Sequence, residues 1–523
     1  MKKLLGIVVL GLLWSNLTFA EFKDNPIYKN KLTYFNKWLY DNGHHQYLNL
    51  NPESVSYKAT AKNKKDPLTS ITRTHMNSKA TAEADAMEAC KLVYEVQGKE
   101  MQEACYIHSV INVNDPCKTE PKFSQVWYYN ECNIFRGTTN LNITGYKSHW
   151  GIPFNKSPNR DTLIYYLYKN LYSHDTGDTG TKQYSRYEIQ PSKNPYEFKS
   201  ELKENKFIKK QMLKKPLLSY LFFEDGKIVI DEITPKDKFG EFVDNTTKLR
   251  SNSMGKSLVA YVAGHAICAG YIDSVETKID DWPLLKNTLY DGQKLIDILN
   301  MNAGDQKYIY NSTFWDGTEA DVELFALNME KMKGKKKTKS KYNYNAQNTN
   351  LIFNYVLYKS KDEFEKLLND IFQKKARIKD SVYFFRSSGL YDKHITRPLG
   401  DANSMFFASR YDYLRISKAI LDDWQNDTCV GKYLKTIYKN KIKKNLHDRS
   451  KFRVEEATTS YGGQFHLDII GMKKRKILGM GGYGGQQILI DVEKSKIVVL
   501  NSLAINRNKY NYNWKKMVYD VIK

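Results

Sequence analysis

Ser253-Met254-Gly255-Lys256 sets a hydroxyl and an amine three residues apart, just ahead of the apolar stretch Ser257 to Ala269. On a helix, residues at that spacing project from one face. A serine hydroxyl is a poor nucleophile at neutral pH until a neighbouring base removes its proton, and a lysine amine can do so. The chemistry indicated is acyl transfer through a covalent intermediate on Ser253. The same spacing recurs at Ser200-Glu201-Leu202-Lys203, so the surroundings must separate the two. Leu258, Val259, Val262, Ala266 and Ile267 recur at helical intervals, which predicts a buried helix with Ser253 at its N-terminus. Ser200 lies instead among Lys199, Glu201, Lys203 and Glu204, the composition of a solvated surface helix.

The elements around Ser253 follow from periodicity. Phe198 to Leu213 reads as a charged amphipathic helix, and Leu217–Phe223 and Lys227–Ile233 read as strands joined by the hairpin signal Glu224-Asp225-Gly226. The polar run Asp244-Asn245-Thr246-Thr247-Lys248 then leads into the serine. Near the C-terminus, Gln487–Val492 and Lys496–Leu500 read as strands around Glu493-Lys494-Ser495, with a helix from about Trp514. The prediction is an α/β architecture: an antiparallel sheet assembled from both ends of this region, with helices on its faces. Glu21 to Pro191 is polar and aromatic, holds four of the six cysteines, and reads as a helix at Ala80–Val96 and a strand at Ala104–Val113. It carries no catalytic constellation. The organisation expected is a signal peptide over 1–20, a small disulfide-braced accessory region over 21–195 and a hydrolase domain over 196–523. A wall-binding or partner-binding module is the alternative role for the accessory region.

Lys2 and Lys3, the apolar run Leu4 to Trp14 and the small-residue pattern of Thr18-Phe19-Ala20 read as a cleaved secretory signal, with a retained N-terminal anchor as the alternative. That run falls short of the roughly 20 residues that span a bilayer. A secreted or periplasmic protein with no transmembrane segment after cleavage is expected, and no cysteine follows the run to accept a lipid. Export makes disulfides the natural state of the cysteines, and the economical pairing among those formally open is Cys90–Cys105, Cys117–Cys132 and Cys268–Cys429. The first two would each close a loop of about 15 residues, worth about 3 kcal/mol in the chain-entropy model. No Cys-x-x-Cys pair or clustered histidines suggest zinc, so no metal is expected. The 81 lysines and arginines exceed the 58 aspartates and glutamates by 23 charges. Such a balance favours anionic surroundings, including cell-wall polymers, lipid headgroups and acidic substrates. No nucleic-acid module accompanies it, so nucleic acid is not an expected partner.

Asp225-Gly226-Lys227, Ser253 to Ser257, Leu295 to Gly304, Tyr344 and Gly482-Tyr483-Gly484-Gly485-Gln486 occur in the order seen in serine β-lactamase-like hydrolases. The chain from about Phe198 to its end resembles the class C branch, which includes esterases, D-amino-acid peptidases and 6-aminohexanoate-dimer hydrolases. The resemblance implies a β-lactamase/transpeptidase-like fold and puts Tyr344 of Tyr342-Asn343-Tyr344-Asn345-Ala346 beside the serine and lysine. Ala346 stands where the family usually has asparagine or serine, which removes one side-chain hydrogen bond. No Lys-Thr-Gly or His-x-Gly follows. Met480 to Gln486 instead resembles the Gly-x-x-Gly-Gln strand of the 6-aminohexanoate-dimer hydrolases, in which the residue at Tyr483 offers a backbone N–H to the oxyanion and the nucleophile offers the other. A second register would give that role to Gly479, with Lys476 as the motif lysine; the Tyr483 register aligns Gln486 and the next strand without gaps.

The resemblance therefore implies Ser253 as nucleophile, Lys256 and Tyr344 as a shared general base, and the Ser253 and Tyr483 N–H groups as oxyanion donors. Such a lysine must be partly desolvated. Gly482, Asp316 and Asn403 are candidates for substrate contact, as is Trp315, whereas His265 reads as a structural histidine. The seven lysines from Lys331 to Lys341 read as a solvated loop that would favour anionic substrates if it rims the pocket. No cofactor is implied. The function expected is exported hydrolysis of a small-molecule or peptide amide or ester, with 6-aminohexanoate or D-peptide amides preferred. The absent carboxylate-binding Lys-Thr-Gly argues against a dedicated β-lactamase or wall transpeptidase. The alternative is a catalytically idle protein of the same fold that binds cell-wall or other anionic partners.

Overall fold

The computed structural model describes residues 56–76, 79–93, 99–113, 185–240, 243–310, 313–314, 325–386, 400–444, 454–503 and 512–523. The chain divides into two compact units: 1–59 with 72–85 and 109–184, and 60–71 with 86–108 and 185–523. The expected signal at 1–20, the Cys117–Cys132 pair, Trp315 and Asp316 lie outside the described residues.

Strands β1 (Ser56–Asn63), β2 (Asp66–Met76) and β3 (Cys105–Val113) form a sheet in the order β2-β1-β3, with helices at Lys79–Val93 and Lys99–Glu103. A Cys90–Cys105 disulfide ties the first helix to β3, the bridge expected from the sequence.

The remaining strands are β4 (Ser185–Ile189), β5 (Lys199–Ser200), β6 (Leu217–Glu224), β7 (Lys227–Ile233), β8 (Leu249–Arg250), β9 (Ile309–Tyr310), β10 (Thr313–Phe314), β11 (Val382–Arg386), β12 (Gly400–Ala408), β13 (Ile442–Lys443), β14 (Thr458–Gly462), β15 (Phe465–Ile469), β16 (Ile477–Gly482), β17 (Gln486–Asp491) and β18 (Lys496–Ser502). Nine form one sheet, β13-β14-β15-β16-β17-β18-β6-β7-β5, antiparallel except for β5 against β7. β18 pairs with β6, Val498 opposite Phe222, so the sheet is closed from both ends of the region. Asp225 (φ 48°) and Gly226 (φ 83°) both take the left-handed conformation that a tight β6–β7 hairpin needs. A second sheet, β4-β11-β12-β8, carries the chain towards Ser253.

Helices cover the large sheet, giving the α/β class with an antiparallel sheet flanked by helices. Ile208 and Met212 of the helix Lys206–Lys214, with Met517 and Ile522 near the C-terminus, pack on Tyr220, Phe222, Leu489 and Val498. The helix Arg410–Gln425 is pinned to the sheet by its buried first residue. The Arg410 guanidinium donates to Ser219 Oγ at 2.7 Å and the Glu232 carbonyl at 2.8 Å, and pairs with Asp231 at 2.6 Å.

The expected helix over Phe198–Leu213 is shorter than its composition suggested. Only Lys206–Lys214 is helical, while the Glu201 and Lys203 N–H groups donate to the Ile228 and Val229 carbonyls along the edge of β7. An unpaired sheet edge offers backbone partners that a solvated helix does not, and it captures the segment. The Ser200–Lys203 pattern is therefore extended rather than the surface helix expected, and residues three apart on a strand face opposite sides.

The helix that follows Ser253, Met254–Cys268, is buried almost all round. Its C-terminal Cys268 forms the expected disulfide with Cys429, at a sequence separation of 161. A loop of that length is worth about 5 kcal/mol in the chain-entropy model. Cys268→Ser/Cys429→Ser is expected to lower the denaturation midpoint accordingly under oxidising conditions; equal midpoints for variant and parent would contradict a stabilising bridge.

Candidate active site

Ser253 is delivered by a loop sewn onto β12. Leu249 and Arg250 pair with Ala408 and Phe407, and the Ser251 N–H donates to the Phe406 carbonyl at 2.9 Å. Asn252 turns the chain with φ 46°, a conformation asparagine tolerates better than most residues. Ser253 follows at the N-cap of the helix Met254–Cys268 in helical geometry, and its side chain makes no capping bond. A serine there usually accepts from an N–H one turn on. Here the half-buried hydroxyl is hydrogen-bonded to the phenol of Tyr344. Lys256, on the same face and 1% exposed, lies with Nζ 5.1 Å from the centroid of the Tyr344 ring. The structure thus brings Ser253, Lys256 and Tyr344 together.

Tyr344 reaches that position because a buried carboxylate holds the residues on either side of it. Asp305 accepts from Asn343 Nδ2 at 2.7 Å, Asn345 Nδ2 at 3.0 Å and Tyr290 Oη at 3.0 Å. Burial pushes the Asp305 carboxyl up, and those three donors pull it back. The Asn343 N–H also donates to the Met301 carbonyl at 2.8 Å, and Asn345 caps the helix Ala346–Ser360 through the Asn348 N–H. The cap comes from Asn345, so Ala346 costs the helix nothing there. Asp305 was missed from the sequence; its only signal is its place directly after the Leu295–Gly304 segment.

The end of β16 meets the Ser251–Ser253 loop. The Tyr483 carbonyl accepts from Asn252 Nδ2 at 2.7 Å, and a Cβ on Gly482 would fall 2.4 Å from the Ser251 carbonyl. Glycine permits that approach. Gly479 lies further back, opposite His466 and against Val454, while Lys476 is at the surface, 3.3 Å from Glu493. The two registers thus have different neighbours, and only Gly482–Tyr483 abuts the serine loop.

A buried polar cluster lies beside Tyr344. His466 of β15 stacks on the Tyr344 ring with centroids 6.2 Å apart, and Tyr461 approaches edge-on at 6.0 Å. Lys444 Nζ donates to the Glu455 carbonyl at 2.5 Å and Thr458 Oγ1 at 2.6 Å, and lies 3.3 Å from His466 Nδ1. Burial pushes the imidazole well down, helped by the charges of Lys444 and Lys256, so His466 is neutral. Burial also pushes Lys444 down to about 7, against the pull of Glu455 and Glu456. None of these residues was anticipated; only their strand pairing brings them together.

Lys444 makes stability depend on pH. Below about pH 7 it is charged in both folded and unfolded chains, and burying the charge carries its full cost, on the order of 5 kcal/mol. Between there and the ordinary lysine value of 10.5 the unfolded chain binds more protons, so stability rises with pH. Lys444→Met removes this dependence, whatever its fixed cost in lost hydrogen bonds. Its stability relative to the parent is expected to fall by a few kcal/mol from about pH 6 to about pH 10, read from urea midpoints; a flat difference would contradict it.

The other candidates are dispersed. Asn403 lies on β12, whose register places it before Phe406 and the Ser251 contact. His265, some 18 Å along the helix from Ser253 at its usual rise, packs edge-on against Tyr261 and faces Asp423 at 4.0 Å, and burial pushes it down to about 4. Among the described residues no cluster of three or more His, Cys, Asp or Glu could hold a metal, and no helix is long and apolar enough to cross a membrane.

No family model and no curated protein matches the chain. Solved structures similar to it include a candidate 6-aminohexanoate-dimer hydrolase from Bacillus anthracis, at 13% identity over 70% of this chain and 96% of that one, TM-score 0.49. A candidate β-lactamase from Bacteroides dorei aligns at 13% identity over 60% and 94%, TM-score 0.45. FmtA from Staphylococcus aureus aligns at 15% identity over 64% and 93%, TM-score 0.41. At these values the likenesses carry no part of the functional reading, which rests on the geometry of Ser253, Lys256 and Tyr344.

Proposed function

We propose that the chain is an exported serine hydrolase that cleaves an amide or ester bond through an acyl intermediate on Ser253. The observation that carries this is a serine hydroxyl at a helix N-terminus, uncommitted to capping and hydrogen-bonded to a phenol over which a buried lysine amine sits. Burial pushes the Tyr344 phenol up, so a resting phenolate is disfavoured. Tyr344 is then a relay: it takes the Ser253 proton as its own passes to Lys256, which reacts in its amine form. Ser253 Oγ bonds to the carbonyl carbon, and the carbonyl π pair moves onto oxygen, facing the Ser253 and Tyr483 N–H groups. The C–N or C–O bond breaks as the leaving group takes the proton from Lys256. Water, deprotonated by the same pair, attacks the acyl carbon, and the C–Oγ bond breaks as that proton returns to Ser253 Oγ. This sequence calls on no cofactor.

The proposed substrate is a small-molecule or peptide amide or ester, with linear amides of the 6-aminohexanoate or D-peptide kind preferred on the motif resemblance, and with Asp316, Asn403 and Gly482 at its binding surface. Disulfides at Cys90–Cys105 and Cys268–Cys429 support an oxidising compartment and hence export. Division into an accessory region over 21–195 and a hydrolase domain over 196–523 is part of the same proposal. The test is labelling by a fluorophosphonate and a fluorescent penicillin, with turnover of chromogenic esters, D-peptides and linear amides. Modification mapped to Ser253 is expected. No labelling and no turnover across the panel would leave the idle, anion-binding alternative in its place.

A further inference from the structure

Several surface lysines on this protein have a carboxylate partner. Lys209, Lys227, Lys294, Lys359, Lys435 and Lys496 pair with Glu204, Glu201, Glu276, Asp281, Asp427 and Glu224 at 2.5 to 3.1 Å. Elsewhere unpaired lysines converge on one place. A groove of about 550 Å³ is lined by Lys307, Lys336, Lys337, Lys339 and Lys341; among the described residues none of the five has an ion pair within 4.0 Å, and Lys337 acts at longer range on the Asp297 carboxylate. Clustered like charges repel, and a fold tolerates them where an anion is to be drawn in.

The groove is built rather than loose. Thr338 donates from its N–H at 2.8 Å and its hydroxyl at 3.0 Å to the Gly304 carbonyl. Gln306 Nε2 donates to the Lys339 carbonyl at 2.9 Å, and the Tyr308 hydroxyl to the Lys336 carbonyl at 3.1 Å. Gly304 takes φ 73°, and a Cβ there would meet the Thr338 carbonyl at 2.6 Å, so the two strands of backbone are in close contact. The next residue is Asp305, the carboxylate that holds Asn343 and Asn345 around Tyr344. One corner of the chain therefore fixes both the basic groove and the tyrosine beside Ser253, and Lys341 is within about 10 Å of Tyr344 along the backbone.

We propose that this groove docks a linear phosphate-bearing polyanion, which positions an acyl group on that polymer for Ser253. The second half rests on the hydrolase reading; the first does not. Ammonium groups act as point charges suited to phosphate, and no arginine fork is present for bidentate carboxylate recognition. A lipid surface is disfavoured, because membrane binding scales with inserted apolar area. The exposed large hydrophobics among the described residues, Leu202 and Leu213, are not in the groove. Nucleic acid is disfavoured because bases need an open aromatic face. Tyr308 has its hydroxyl bonded and Lys335 5.7 Å from its ring.

The probe is long-chain inorganic polyphosphate, with phosphatidylglycerol vesicles, poly-L-glutamate and a single-stranded oligonucleotide as comparisons, on the full chain. Lys336→Glu/Lys337→Glu/Lys339→Glu is expected to weaken polyphosphate binding at least about tenfold and to flatten its log–log salt dependence by about two units. Turnover of a small neutral ester should not change. Lys209→Glu/Lys227→Glu/Lys294→Glu, an equal charge change at ion-paired sites, should leave binding near the parent value. Equal losses in the two triple variants, an unchanged affinity in the groove variant, or tighter binding to vesicles, polyglutamate or oligonucleotide would overturn the proposal. The glutamine triple at 336, 337 and 339 repeats the measurement should the reversal disturb folding. Ser253→Ala should bind polyphosphate as the parent does, so failure of the hydrolase reading alone would leave docking intact.

Discussion

Ser253→Ala is expected to abolish turnover, by at least about 10⁴-fold, and to remove covalent labelling, while the protein stays folded. The chemical part follows from bond-making: without Oγ no acyl intermediate forms, and only binding and oxyanion contacts remain to favour direct attack by water. The folding part follows from what the hydroxyl does at rest. It makes no capping bond to its helix and is bonded to Tyr344, so its removal costs one hydrogen bond at the edge of the core, about 1 kcal/mol. The helix itself is held by burial along its length and by Cys268–Cys429, neither of which involves Ser253. Measuring kcat/KM on the best ester or amide, labelling, and a thermal melt separates the outcomes. A variant that melts normally and still turns substrate over would remove Ser253 from the mechanism.

How much of this was legible depends on how local each determinant is. The nucleophile helix announces itself because Leu258, Val259 and Val262 repeat at helical spacing next to Ser253, and the β6–β7 hairpin because Asp225-Gly226 accepts positive φ. The pairing of β18 with β6 was also within reach, since two strong hairpins sit near the two ends of the region. Determinants built by convergence were not. Asp305 is one carboxylate after a glycine until Tyr290, Asn343 and Asn345 fold onto it. Lys444 and His466 are ordinary members of a basic chain until the β14–β15–β16 register puts His466 opposite Gly479 and beside Tyr344. The lysine run was visible as charge, but its neighbours were not. That Thr338 and Gln306 clamp it to the corner carrying Asp305 is a tertiary fact.

Tyr344→Phe is the second large effect expected, and it separates chemistry from positioning. Phenylalanine keeps the ring against Tyr342, Tyr461 and His466, so the packing that seats residue 344 survives. What is lost is the phenol that bonds Ser253, and with it the proposed relay to Lys256. General-base loss of this kind costs about 10² to 10⁴ in kcat, and with the binding surface intact KM should change little. Raising the pH should not restore the rate, because no other phenol takes that place. Asp305→Ala acts differently: it strips the shared acceptor from Asn343, Asn345 and Tyr290, leaving the buried Tyr290 hydroxyl unpaired at about 1–3 kcal/mol and the two amides with only the Ile309 and Asn343 carbonyls. It should lower stability and activity together, and raise KM as the loop loses its mount. If Tyr344→Phe instead lost stability and kept its kcat, the phenol would be a structural hydrogen bond, and Lys256 alone would have to deprotonate the serine.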